Sequence, residues 1–158
     1  MTRHYYFAYG SNMNPSRVRL RNMAYSHYEA GVLSGYELVF NKRSVKYPGA
    51  ASANIVEKEM GRVEGVVYHL SDENQIEVMD PFEGHPERYR RLLVPIETSA
   101  TELTVWVYVA NSNHIQEGLK PATWYLNHLL AGEAFLTPDY YRKLTETQCL
   151  PDSEVEPT

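Results

Sequence analysis

Two short segments carry most of the chemistry this sequence could do. The first is Tyr9-Gly10-Ser11-Asn12-Met13. An apolar stretch that runs into a glycine turn and then a helix start aims several backbone N–H groups at one spot. Such a turn cradles an anion, either a carboxylate or a phosphate. It is not a phosphate loop of the nucleoside-triphosphatase kind, because the second glycine and the lysine are missing. The same residues also serve as an ordinary strand-to-helix turn, and one glycine does not separate the two readings. The second segment is Asp80-Pro81-Phe82-Glu83-Gly84. A carboxylate beside Phe82 and a turn glycine can lose part of its hydration, which raises its pKa and suits it to general-base work. A solvated turn glutamate fits the same pattern.

Other reactive side chains offer less. None of the six histidines, His4, His27, His69, His85, His114 and His128, pairs at the i, i+4 spacing of a helical zinc site. Surface or strand positions are expected for all six, with His85 a possible neighbour of Glu83, and no metal ligand set is assigned. Ser11 does not sit in Gly-x-Ser-x-Gly, and no histidine partner for it is implied. Cys149 lies near the C-terminal end of the sequence and reads as an unreactive thiol. Arg17, Arg19 and Arg21 read as a solvated face. Arg88, Arg90 and Arg91 frame Tyr89, with alternate side chains on opposite faces of a strand. One of these arginines is therefore expected to be structural while Tyr89 faces a pocket, and Tyr125, after Pro121, is placed in the same way.

The elements that must position these groups can be read from periodicity and punctuation. Residues 4–9 form an apolar, aromatic first strand that ends at Gly10. Asn14 caps a short helix over 15–21, with Pro15 at its first position. Residues 28–33 and 36–42 read as two strands around Ser34-Gly35, and 45–53 as a loop. Residues 54–56 and 62–70 are strand-like, joined by a turn near Gly61. Ser71 opens a helix over 72–79, stopped by Asp80-Pro81. Strands follow at 89–97 and 103–110, and helices at about 120–131 and 137–147. The expected fold is a strand-rich α+β domain. The strands do not alternate regularly with long helices, which excludes a doubly wound nucleotide-binding sheet.

Composition bounds the rest. The 158 residues suit one domain, expected over 1–150 with an acidic, frayed tail at 151–158. A formal charge of −5 argues against nucleic acid as a partner. A single cysteine precludes an internal disulfide and favours a reducing compartment, so a cytoplasmic location is expected. No apolar stretch approaches the roughly 20 residues of a membrane span, and the start lacks a signal-peptide layout. The 13 tyrosines suit a wet pocket or a strand equally.

Several segments, taken in order, resemble one family. Tyr6-Phe7-Ala8-Tyr9-Gly10-Ser11-Asn12-Met13 is similar to the N-terminal signature of the γ-glutamylcyclotransferase-like family. Phe40-Asn41-Lys42-Arg43-Ser44, Ala53-Asn54-Ile55-Val56 and Val63-Glu64-Gly65-Val66-Val67-Tyr68 look like the following blocks of its bacterial members. Asp80 to Gly84 with Tyr89-Arg90-Arg91 resembles the block that carries the acid/base glutamate. Pro121-Ala122-Thr123-Trp124-Tyr125-Leu126 and Leu136-Thr137-Pro138-Asp139-Tyr140-Tyr141 resemble its C-terminal helices.

The resemblance implies a small mixed β-barrel flanked by short helices, with the pocket at one end. It also implies a reaction. The α-amine of a γ-glutamyl group attacks its own γ-carbonyl and releases 5-oxoproline and a free amine, with no cofactor or metal. Glu83 is then the general acid/base. The turn Tyr9, Gly10, Ser11, Asn12 and Met13 holds the substrate carboxylate, and Tyr89 and Tyr125 orient the substrate or Glu83. The partner is a small γ-glutamyl molecule, neither nucleic acid nor membrane, bound by a monomer or homodimer. A non-catalytic binding module for a small carboxylate or amine on the same barrel is the alternative. The sequence departs from the family at His85-Pro86-Glu87-Arg88, at Tyr47 to Ser52 and at Gly132-Glu133, which leaves the leaving amine open.

Overall fold

A computed structural model describes residues 4–155 and 157. Five strands form a closed barrel: β1 (Tyr5–Ala8), β2 (Tyr25–Arg43), β3 (Ala51–Leu70), β4 (Tyr89–Glu97) and β5 (Glu102–Ala110). Around the barrel the order is β1-β3-β2-β4-β5. The neighbouring strands are antiparallel except for β1 and β5, which run parallel and meet at Tyr6 and Trp106. The α+β barrel with short flanking helices is therefore present as expected. The helices are α1 (Pro15–Leu20), α2 (Gln75–Glu83), α3 (Thr123–Leu130) and α4 (Pro138–Thr145). Among the described residues, no helix is long and apolar enough to cross a membrane.

Alternation along the strands builds two cores. Tyr5, Phe7 and Tyr9 pack inside the barrel with Leu33, Ile55, Val63, Val67, Val105 and Val107. Tyr6 and Ala8 point the other way, into the layer between the barrel wall and the helices, with Met13, Val18, Met79 and Leu129. Phe7 is wholly buried, and one such ring contributes about 1.5–3 kcal/mol over its exposed state.

Three elements differ from the sequence expectation. The two strands proposed around Ser34-Gly35 are one strand, β2, whose register shifts between Ser34 and Tyr36. The strands proposed on either side of Gly61 are likewise one strand, β3. A bulge absorbs an extra residue without ending a strand. Gly61 is there because a Cβ at that position would stand 2.4 Å from the Tyr36 carbonyl oxygen. The third difference is α2, which starts at Gln75 and runs through Pro81 to Glu83. Proline in a final helical turn forfeits one N–H bond there and does not end the helix. Asp72 forms a turn ahead of α2, accepting from Asn74 N–H at 2.9 Å. The described part of the tail makes contacts with the barrel and α3. Val155 is buried with Ala50 and Ala122, Trp124 Nε1–H donates to the Val155 carbonyl at 3.0 Å, and Asp152 caps α3 through Trp124 N–H at 3.0 Å.

Candidate active site

A cavity of about 230 Å³ opens at the barrel end where β1, β2 and β5 finish and β3 and β4 begin. Glu83 reaches it as the last residue of α2. Gly84 follows in the left-handed conformation (φ 69°, ψ 33°) and turns the chain away. Arg91 grips Asp80 in two contacts, Nε to Oδ1 at 2.9 Å and a terminal nitrogen to Oδ2 at 3.1 Å. Tyr108 donates to the same carboxylate at 2.7 Å. The last turn of α2 is thus tied to β4 and β5, and the bidentate geometry fixes its orientation. Arg91 also stacks on Trp106 at 4.4 Å, so it is the structural arginine expected beside Tyr89.

The glycine turn faces Glu83 from the end of β1. Gly10 sits where a Cβ would be 3.1 Å from Ala53 Cβ and 3.3 Å from the Tyr125 hydroxyl, so glycine lets this turn lie close to β3 and α3. Asn12 is buried and fully engaged. Its Nδ2 donates to Glu83 Oε1 at 3.2 Å and to the Tyr6 hydroxyl at 2.9 Å. Its Oδ1 accepts from Arg21 at 3.2 Å, and its carbonyl accepts from Tyr68 at 2.6 Å. Met13 does not reach the cavity, which corrects the expectation for it. Its side chain is fully buried in the helix-facing core, and its N–H donates to the Gly10 carbonyl at 3.0 Å.

The tyrosines play a positional part. Tyr9 spends its hydroxyl on the Tyr108 carbonyl at 2.6 Å and offers only its ring. Tyr89 donates to the Ala53 carbonyl at 2.6 Å, and the Tyr125 oxygen accepts from Ala53 N–H at 2.9 Å. The two phenols hold Ala53, at the start of β3, from opposite sides. Both line the cavity with Tyr9, Gly10, Ser11, Asn12 and Glu83. Burial pushes all three phenols above their ordinary pKa, so they stay neutral donors or acceptors. His85 packs edge-on to Tyr108 at 6.4 Å and is not among the cavity-lining residues.

Glu83 is the only carboxylate among the described residues that line the cavity. Burial raises its pKa, and this outweighs the opposing pull of Arg21, Lys42, Arg17 and Arg88. Burial and the nearby Arg88 charge bring Lys42 down to about 8, and its amino group sits over the Tyr89 ring at 5.5 Å. Arg17 Nε donates to Ser11 Oγ at 3.2 Å. Arg17, Arg21, Lys42 and Arg88 thus act on one carboxylate whose proton is nonetheless held more firmly than usual. The arrangement suits a small anionic ligand that must exchange a proton with the protein. Sequence reading missed these cations. Arg17 on α1 and Arg21 at its C-cap stand four apart, a spacing that places both on one helix face, and this signal was available. The roles of Lys42 and Val155 depend on long-range pairing and had no local signal.

Comparison with known proteins adds to this geometry. A family model described as gamma-glutamyl cyclotransferase, AIG2-like, matches residues 6–126. No curated protein sequence matches the chain. Among solved structures, an uncharacterised protein from Homo sapiens is 25% identical, with a TM-score of 0.82, over 95% of this chain and 90% of that one. A gamma-glutamyl cyclotransferase is 24% identical, with a TM-score of 0.81, over 94% and 90%. A glutathione-specific gamma-glutamyl cyclotransferase from yeast is 14% identical, with a TM-score of 0.66, over 92% and 95%. The likeness to the last two is one of fold.

Proposed function

The chain belongs to the gamma-glutamyl cyclotransferase, AIG2-like family, and from that premise we propose that it converts a γ-glutamyl amide into 5-oxoproline and a free amine. The observation that carries this reading is Glu83, the one carboxylate among the described residues that line the cavity, with a raised pKa and held by Asn12. Glu83 takes a proton from the substrate α-ammonium. The freed amine attacks the γ-carbonyl carbon, a C–N bond forms, and the five-membered ring closes. The original amide C–N bond then breaks, and Glu83 returns a proton to the departing nitrogen. Two protons leave the α-nitrogen and two arrive at the leaving nitrogen, so a single carboxylate can carry them in turn. Water takes no part. Because the attack is intramolecular, holding the amine against the carbonyl supplies much of the rate.

The substrate α-carboxylate is assigned to the N–H groups of Gly10, Ser11 and Asn12, with Arg17 behind Ser11. The ring of Tyr9 forms the floor, and Tyr89 and Tyr125 hold the opposite wall through Ala53. The test is product analysis on a panel of γ-glutamyl amides, with amino acids, lysine side chains and amines as leaving groups. Release of 5-oxoproline from at least one member is expected. Glutamate in its place would reassign Glu83 to activating water. Binding of glutamate or 5-oxoproline with no turnover of any member would make the barrel a binding module.

A further inference from the structure

The barrel has a second mouth at the end away from the cavity, where β1 and β2 begin and β3 finishes. Between the register shifts near His27 and Ser34, β2 is regular, so His27, Glu29, Gly31 and Leu33 share one face. Leu33 belongs to the barrel interior, as do Val63 and Val67 on β3. His69 continues the inward face of β3, two residues beyond Val67. The pattern therefore changes from apolar residues within the barrel to His27, Glu29 and His69 at its far rim.

These three side chains converge. His27 and His69 are cross-strand partners, with rings 3.7 Å apart at 30°. His69 Nε2 hydrogen-bonds to Glu29 Oε2. One ligand atom from each of the three lies within 4.8 Å of the other two. Supporting contacts set the rings. Tyr5 packs edge-on to His69 at 4.9 Å. Ser26 Oγ donates to the His69 carbonyl at 3.4 Å and lies 3.1 Å from His27 Nδ1. The adjoining depression is lined by His4, Asp72 and Glu73.

We propose that His27, Glu29 and His69 bind a divalent transition-metal ion of the zinc class. Two imidazoles and one carboxylate form a recognised donor set for that ion. The ion takes the place of the proton between His69 and Glu29, and a water fills the remaining position. It joins β2 to β3 at the mouth remote from Glu83. A helical spacing search could not find this site, because residues 27 and 69 meet only through the β2–β3 register.

The test is calorimetric titration of ZnCl₂ into the tag-free, chelator-treated full chain, with thermal unfolding measured alongside. One equivalent is expected to bind and to raise Tm. His27→Ala and His69→Ala should each weaken binding by about tenfold or more and remove the Tm rise. His69→Gln serves if the alanine variant fails to fold. Absence of binding at about 0.1 mM zinc, or equal affinity in both histidine variants, would overturn the proposal.

Discussion

At the residue scale the account rests on how Glu83 is held. Asn12 Nδ2 donates to the carboxylate, and a donor to the charged form lowers a carboxyl pKa. Asn12→Ala removes that donor and drives the already raised pKa of Glu83 further up. The acid limb of the kcat/KM profile should then move to higher pH, with activity at neutral pH falling about tenfold or more. An unmoved acid limb would show that Asn12 does not act through Glu83. The candidate site was legible at this scale in part. Glu83 and the Gly10–Asn12 turn could be singled out because a carboxylate beside Phe82 and a glycine after a strand are local features. The direction of the Asn12 side chain could not, since it depends on α2 lying across the end of β1. Met13 was misplaced for the same reason: a run of five residues does not say which side chain turns into the core.

At the element scale, Gly84 sets the end of α2 and Glu64 anchors the start of α4. A Cβ on Gly84 would meet the Arg88 guanidinium at 2.3–2.6 Å, at a φ of +69°. Gly84→Ala should cost about 1–2 kcal/mol from backbone strain, read as a lower urea midpoint. It should also lower activity by displacing Arg88 from beside Glu83. Glu64 is buried on β3 and accepts from Thr137 N–H at 2.7 Å, Thr137 Oγ1 at 2.8 Å and Arg62 Nε at 2.9 Å. Burial alone would push its pKa up, but these donors hold it below the ordinary value. A depressed folded-state pKa gives stability that is present above the unfolded value and is lost as pH falls through the folded one. Glu64→Ala should therefore cost about 1–3 kcal/mol near neutrality. The difference from wild type should shrink on acidification, as followed by urea denaturation across pH. The strands and most helix positions were legible from alternation and capping. The breaks proposed at Ser34-Gly35, Gly61 and Pro81 were not real, because long-range pairing and packing carried β2, β3 and α2 through local punctuation.

At the scale of the whole molecule, the formal charge of −5 gives no hint of the cavity. Arg17 on α1, Arg21 at the C-cap of α1, Lys42 on β2 and Arg88 just before β4 gather there. One apolar residue of the acidic tail, Val155, is buried beside the cavity. The barrel leaves two open mouths, and the proposed chemistry occupies only one of them. Burial of Glu83 in that mouth carries a stability consequence of the opposite sign to Glu64. A raised folded-state carboxyl pKa favours folding at acid pH, and that advantage is lost as pH rises through the folded value. The decisive measurement is Glu83→Gln, assayed for 5-oxoproline release and for Tm in one neutral buffer. The account predicts a loss of about 10²–10⁴-fold in kcat, with a Tm equal to or above that of the parent chain. Retention of parental 5-oxoproline release by this variant would contradict it.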